Sequence, residues 1–408
     1  MKCRHCQQQL SNKFVNLGSA PPSNSYLSSE TLSSVEKWYP LSVFVCKNCF
    51  LVQTEDFVME DEMFSPDYAY FSSYSTSWLK HAKKYTSQMI DILDLNDSSM
   101  VVDVAANDGY LLQYFQEKKI PCYGIEPTKS TAEVAIKKGI KVIQDFFGCS
   151  LARQLSEKGH KADLMAANNV LAHVPDINDF VKGFSILLKP NGVATFENPH
   201  LVNLVEQNQF DTIYHEHFSY LSLTSVKDIF LSNGLEVYDV EEMPSHGGSL
   251  RYYAQRKDTG KRKISKRVEL MIKRESVLGV NSLPYYDNFQ TKVEMIKDDF
   301  LSFLIKAKKD KKLVVAYGAA AKGNTLLNFS GVKSDLIKYV VDLNPAKVGK
   351  FMPGSRIPIV NECALREDKP DFIFIFPWNL KREIMDQLNY ARSWKVKFVV
   401  AVPKLTVY

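Results

Sequence analysis

Met100-Val101-Val102-Asp103-Val104-Ala105-Ala106-Asn107-Asp108-Gly109 is the stretch on which the fold turns. An apolar run broken by one acid reads as a buried strand, the small residues after it as a tight turn, and residues 110–119 have helical spacing. Working outward, Cys122-Tyr123-Gly124-Ile125-Glu126 is a second strand, 130–138 a helix, Lys141-Val142-Ile143 a third strand and 162–167 a fourth. The turn Lys189-Pro190-Asn191-Gly192 leads into a fifth at 193–197. Strands alternating with helices at this spacing predict a parallel sheet covered on both faces. The stretch 235–253, broken by Gly247-Gly248, is expected to add antiparallel strands at its edge.

A second α/β unit echoes the first. Leu313-Val314-Val315-Ala316-Tyr317 is a strand, 318–323 a turn, and a helix follows from Asn324; 337–342, 371–376 and 396–400 are further strands. Between the two units, 256–310 is charged and largely helical, and its basic run is expected to be a solvated face. The first 75 residues differ: short strand-like runs, a Pro21-Pro22 break, and too little apolar sequence to hold together unaided. The expected organisation is a metal-binding module at 1–75, an α/β core at 76–258, a helical linker at 259–310 and a C-terminal Rossmann-like α/β domain at 311–408.

Composition sets the class. The chain has 408 residues, 45% hydrophobic and 24% charged, which is globular and excludes a disordered polymer. The net charge is +5. Residues 256–274 hold nine basic side chains against Asp258 and Glu269, so the rest is slightly acidic and a nucleic-acid surface is weakly supported. No apolar window reaches the roughly eighteen residues of a membrane span, and Met1-Lys2-Cys3 opens into polar sequence, so no membrane association, no secretory signal and a cytoplasmic location are expected.

Of seven cysteines, four form two Cys-x-x-Cys pairs, Cys3/Cys6 and Cys46/Cys49. Four thiolates in two tight turns suit structural zinc and leave it no open position for catalysis. Unliganded core cysteines and a redox pair are the alternatives.

The first α/β unit carries the parts of an S-adenosylmethionine cradle in chain order. A class I methyltransferase core needs a small-residue turn after strand one, an acid ending strand two and polar residues after strands three and four. Asp103, Ala105, Gly109 and Tyr110 belong to the first turn, although Ala105 and Asn107 stand where glycines are usual. Glu126 is placed for the ribose hydroxyls, Asp145 and Phe146 for the adenine, and Asn168 and Asn169 for the methionine end. Adenosylmethionine carries no phosphate, so it tolerates fewer glycines than a nicotinamide dinucleotide would; an αβ turn that binds no ligand is the alternative.

After the fifth strand comes Asp211-Thr212-Ile213-Tyr214-His215-Glu216-His217-Phe218-Ser219-Tyr220. On a helical turn Tyr214 and His217 share a face and His215 points away. His217 titrates near neutrality and can take a proton from carbon; Glu216 can orient an imidazole, and Tyr214 can donate to an oxyanion. Solvated or core-satisfied side chains, or a second metal site through His215 and His217, are the alternatives.

Together, the four-cysteine module, Asn168-Asn169-Val170-Leu171-Ala172-His173, the run 211–220, Ser245-His246-Gly247-Gly248-Ser249-Leu250-Arg251 and the C-terminal unit resemble the nucleotide-sugar C-methyltransferases, along nearly the whole chain. Those enzymes place a methyl branch on a 4-keto-deoxysugar, typically at C3 of a thymidine-diphosphate sugar. The resemblance implies that His217 is the base, that Tyr214 assists, and that Glu216 and His173 support them. It also implies zinc on the segment containing Cys46 and Cys49, and substrate contacts at Tyr70 and Ser73, within Tyr68-Ala69-Tyr70-Phe71-Ser72-Ser73, and at His246. This chain departs at Ala105-Ala106, where the family more often has Gly-Ser. In the C-terminal unit, Gly318-Ala319-Ala320-Ala321-Lys322-Gly323-Asn324 opens a helix and Asp342 ends the next strand; a helix N-terminus plus Lys322 suits the substrate's diphosphate. A second dinucleotide cofactor, or a unit that only walls the cleft, is the alternative there. For the whole chain, the rivals are a nucleic-acid methyltransferase and a non-enzymatic nucleotide-binding protein.

Overall fold

The computed structural model describes residues 1–57 and 71–408. Three sheets organise them. The first is an antiparallel meander of β1 (Asn12–Ala20), β2 (Tyr39–Val45) and β3 (Val52–Thr54). In β2, Leu41, Val43 and Val45 are buried and the intervening residues less so, the period-two signature of a half-covered strand.

The central sheet contains β4 (Val101–Val104), β5 (Cys122–Ile125), β6 (Val142–Ile143), β7 (Ala162–Asn168) and β8 (Leu188–Pro199), paired in parallel. A short β9 (Ser219–Tyr220) then leaves this unit and pairs with β3. β10 (Leu235–Met243) and β11 (Ser249–Arg256) close the edge antiparallel, giving the order β10-β11-β8-β7-β4-β5-β6. This is the anticipated Rossmann-like core, and the chain reverses direction across the sheet between β4 and β7, where such sheets bind ligands. Every residue of β4 is buried, as a central parallel strand requires. The turn expected at 189–192 lies inside β8. Leu188 pairs with Ala162 and Val193 with Leu164, so the four residues bulge out of the ladder without ending it.

One element had no strong sequence signal. Helix Thr76–Leu93 is rich in Ser, Thr and Lys; Ser75 caps it by accepting from Trp78 N–H, and Ala82, Tyr85, Thr86 and Met89 form its buried stripe. It carries Trp78 and His81 to the carboxyl ends of the strands.

The C-terminal sheet runs β14 (Ile359–Val360), β13 (Val340–Val341), β12 (Val314–Tyr317), β15 (Phe372–Ile375), β16 (Lys397–Val400), β17 (Thr406–Val407), parallel except for β17. Its first helix begins at Ala321, three residues before the expected start, so Lys322 sits in the first turn of a helix. Helix Phe289–Lys309 is no free spacer: Val293, Ile296, Phe300 and Leu304 are buried in one core with β12 and β15, and Phe289 stacks on Phe14 of β1 at 4.4 Å between ring centres. Much of the basic run is paired: Arg256 with Asp258 at 2.6 Å, Arg274 with Glu242 at 2.7 Å, and Arg267 with Asp239.

Candidate active site and cysteine cluster

The site begins where β4 ends. Asp103 is 1% exposed, and neither carboxylate oxygen has a hydrogen-bond partner among the described residues. Burial, reinforced by the nearby Glu126 charge, pushes its pKa well above the ordinary carboxylate range. The following turn is left-handed at three alternate residues, with φ of 61° at Ala105, 50° at Asn107 and 76° at Gly109. The two positions that lack the usual glycine thus still adopt the glycine conformation, at a cost of about 1–2 kcal/mol each for a non-glycine residue. Glu126 braces the turn, accepting from Asn107 N–H at 2.8 Å and Thr128 N–H at 2.9 Å. A side chain on Gly124 would meet Ala106 Cβ at 2.6 Å, which explains the glycine in the neighbouring strand.

Around this turn stand the other predicted cofactor residues. Asp145 and Phe146 follow β6 at the surface, with the Phe146 ring 48% exposed. Asn168 donates to Tyr110 Oη at 3.3 Å, while its own Oδ1 is buried without a partner among the described residues. Asn169, at φ 54°, donates to His246 Nε2 at 3.0 Å. Trp78 packs against Tyr110, His81 and His246, forming an aromatic wall. A buried carboxylate, a left-handed turn that brings backbone close, an orphaned amide oxygen and an exposed aromatic make a donor and acceptor set that fits adenosylmethionine.

The segment 214–217 forms a turn, closed by His217 N–H to the Tyr214 carbonyl at 2.9 Å. The rings of Tyr214 and His217 lie 4.0 Å apart, and His173 meets His217 edge-on at 4.6 Å. His217 Nδ1 is 2.8 Å from the Thr212 carbonyl. A carbonyl only accepts, so Nδ1 carries the proton and Nε2 a lone pair. Burial, with His173, His246 and Lys322 close by, drives the His217 pKa well below its usual value and keeps the ring neutral. Burial lowers His173 to about 4. His215 turns away to the Tyr39 and Pro40 carbonyls of the first sheet, so His215 and His217 do not share a metal.

Two expectations need correction. The Glu216 carboxylate orients no imidazole: its Oε1 accepts from the backbone N–H and side-chain amide of Asn24, at 3.3 and 3.2 Å. The Glu216 backbone, not its carboxylate, holds His173. Ser73 lies on the cofactor side: its N–H donates to Asp108 and its hydroxyl accepts from Lys138, so it caps the strand-one turn. Tyr70 lies outside the described residues.

His246, at φ 53°, ends beside this cluster, and burial and the Lys322 charge lower its pKa to about 4. Lys322 arrives from the C-terminal sheet, with its Nζ 4.4 Å above the Trp378 ring. Sequence reasoning missed the network beneath: Glu197 at the end of β8 accepts from Arg251 at 2.5 Å, Ser245 at 2.6 Å and His81 at 2.8 Å, and these partners hold its pKa at about 2. The available signal was a single acid closing the apolar run 193–197.

The cysteines converge. Sγ atoms of Cys3 and Cys49 lie 3.6 Å apart, those of Cys6 and Cys46 3.5 Å, and all four fall within 4.8 Å. A tetrahedral zinc with bonds of about 2.3 Å spaces its sulfurs by about 3.8 Å, so the cluster fits that ion. Asn48 N–H and the Gln53 amide donate to Cys46 and Cys3 sulfurs, as a thiolate cluster needs.

Three family models match in succession: "Putative zinc binding domain" at 3–64, "Methyltransferase domain" at 78–240 and "C-methyltransferase C-terminal domain" at 244–403. The chain is 31% identical to C-methyltransferase NovU of Streptomyces niveus over 403 residues, covering 99% of this chain and 96% of that protein. Among solved structures, it resembles the magnesium protoporphyrin IX methyltransferase of Synechocystis PCC 6803 with bound SAM (13% identity, 44% of this chain and 79% of that chain, TM-score 0.34). A second is an S-adenosylmethionine-dependent methyltransferase from Clostridium acetobutylicum ATCC 824 (14% identity, 43% and 91%, TM-score 0.36).

Proposed function

The chain belongs to the S-adenosylmethionine-dependent C-methyltransferases, and from that premise we propose that it methylates carbon, at C3, of a nucleotide-linked 4-keto-deoxysugar, a thymidine-diphosphate sugar in the typical case, through a base-generated enolate. The observation that carries this reading is the neutral imidazole of His217, its Nδ1–H committed to the Thr212 carbonyl and its ring against Tyr214. Methylation at oxygen or nitrogen takes no proton from a C–H bond; methylation beside a ketone does, and needs an acceptor with a free lone pair there.

In this reading His217 Nε2 takes the proton from the carbon adjacent to the ketone, and the C–H electron pair becomes the enolate. The Tyr214 hydroxyl donates to the developing oxyanion. His173, held by the Glu216 backbone, fixes the plane of the His217 ring. Asp103, Ala105, Gly109, Tyr110 and Glu126 would hold the cofactor's ribose and methionine side, Asp145 and Phe146 its adenine, and Asn168 and Asn169 its methionine end. S-Adenosylmethionine, when bound, supplies an electrophilic methyl group and leaves as S-adenosylhomocysteine. His246 borders the substrate space, and Lys322 would meet an anionic oxygen there. The zinc cluster is structural, its four thiolates filling the coordination sphere.

The experiment is a panel of 4-keto nucleotide sugars in deuterated buffer, read by mass spectrometry. Wild type should add one methyl group and exchange one carbon-bound hydrogen. His217→Asn should abolish both while adenosylmethionine binding, by calorimetry, is unchanged. Tyr214→Phe should lose about a hundredfold. Wild-type exchange in His217→Asn would move the base elsewhere, with His173 next to test.

A further inference from the structure

We propose that Lys322 is a further catalytic residue: its ammonium, delivered by the C-terminal unit, stabilises the negative charge that forms on the substrate oxygen as His217 removes the proton. This rests on the enolate reading above.

The argument starts from where the side chain is kept. Lys322 stands in the first turn of helix Ala321–Ser330, in a unit that contributes no strand to the central sheet. Its Nζ donates to Asn379 Oδ1 at 2.7 Å and lies over the Trp378 ring. An ammonium has three donors, and among the described residues that single hydrogen bond is made, so two N–H groups are left for an anionic oxygen. Asp211 is near enough for its charge to support the ammonium, but no hydrogen bond joins them.

The seat of this lysine is built from the loops that carry the imidazoles. Trp378 Nε1 donates to Asp211 Oδ2 at 2.7 Å, and Asp211 precedes Thr212, whose carbonyl fixes the His217 tautomer. On its other side the Trp378 ring closes over Gly247, next to His246; a Cβ at Gly247 would stand 2.4 Å from the ring. Trp378 therefore packs on both catalytic loops at once and holds Lys322 between them. The lysine's field reaches both His217 and His246. The groups facing Lys322 are Asp211, His217 and His246, with Trp378 and Asn379 as its neutral supports. A cation in this place serves two ends. It disfavours protonation of the base before substrate arrives, and it meets the anion once the proton has moved.

The competing assignment is a ligand for the substrate's diphosphate, and the two make opposite kinetic predictions. Deuterium exchange into the sugar, with S-adenosylhomocysteine bound, would be measured for wild type, Lys322→Met and Lys322→Gln, together with substrate dissociation constants and thermal unfolding. The proposal expects exchange at saturating substrate to fall by about a hundredfold or more in both variants, with substrate affinity within about threefold of wild type. It also expects an alkaline limb near pH 8 in the wild-type exchange profile that disappears in Lys322→Gln, because burial lowers the lysine pKa to about 8. Gln can still bond Asn379, so it separates lost charge from lost structure if Met unfolds. A saturated exchange rate equal to wild type, with weakened substrate binding, would assign Lys322 to the phosphates and overturn the proposal. Absence of exchange in wild type with every sugar would instead remove the enolate reading, and this proposal with it.

Discussion

At the scale of single residues, Asp103 is the clearest case of stability given up for a site. An unpartnered carboxylate inside a parallel strand is costly, because burial disfavours its charged form and Glu126 repels it. Asp103→Asn should therefore stabilise the cofactor-free protein at neutral pH by about 1–3 kcal/mol. The sign follows from the raised folded-state pKa. The wild-type penalty is absent below the unfolded value of 3.8 and grows as pH rises through the folded value. Urea unfolding at pH 3.5 and pH 7.5 should thus show the variant's advantage only at the higher pH. If the carboxylate serves the cofactor, adenosylmethionine affinity should fall about tenfold to a hundredfold in the same variant, since hydrogen bonds to charged groups are worth about 1.5–3 kcal/mol. A variant no more stable than wild type would mean that the acid is paired in solution. Its neighbours Ala105 and Asn107 show why the missing glycines did not disqualify the turn: the backbone demand for positive φ is met at a cost in strain.

At the scale of elements, helix Lys266–Leu278 looks from its basic composition like a solvated face, yet it carries a buried clamp. Glu275 accepts from Leu223 N–H, Thr224 N–H and the Thr224 hydroxyl at 2.6–2.7 Å, closing the start of helix Leu223–Ser232, and from His200 at 2.7 Å. Glu275→Ala leaves His200 and two helix N–H groups buried without acceptors, so unfolding free energy should drop by about 3–5 kcal/mol; Glu275→Gln, which keeps an acceptor, should lose less. Equal losses in urea melts would show that charge, not acceptance, matters there. The sequence showed little of this, because one acid among basic neighbours carries no mark of its partner 75 residues away. Elements whose own residues decide them were legible: β4, β5, β7 and β12 are apolar runs buried on both faces. Helix Thr76–Leu93, with a weak apolar stripe, and the two-residue β9 depend on what they pack against, and sequence pattern cannot supply that.

At the scale of the whole molecule, the candidate site was legible as residue types but not as an assembly. The run 211–220 and the cradle acids announced themselves by titratable groups at strand ends, whereas Asn24, the Thr212 carbonyl and Trp378 reach the site only through tertiary contact. The least visible of these links joins the zinc module to His217. Arg4, between Cys3 and Cys6, takes Gln53 Oε1 on its N–H at 2.9 Å and donates its guanidinium to the Thr54 carbonyl at 2.8 Å and the Pro175 carbonyl at 2.9 Å. Thr54, on β3, donates its hydroxyl to the His217 carbonyl at 3.1 Å, and β3 pairs with β9 immediately after it. The cysteine cluster, β3, β9 and His217 are thus joined by hydrogen bonds, none of which reaches the turn after β4, although the cysteines share a hydrophobic core with β4 and β5. A module of this size relies on its metal for folding. Stripping zinc with a chelator should therefore release about one zinc per chain, raise amide hydrogen exchange at 217–220 and abolish methylation, while adenosylmethionine binding stays within about threefold because no hydrogen bond of this path reaches its cradle. Full activity in metal-free protein would break the path at β3–β9; loss of cofactor binding in step with zinc would show instead that the module and the central sheet unfold as one unit.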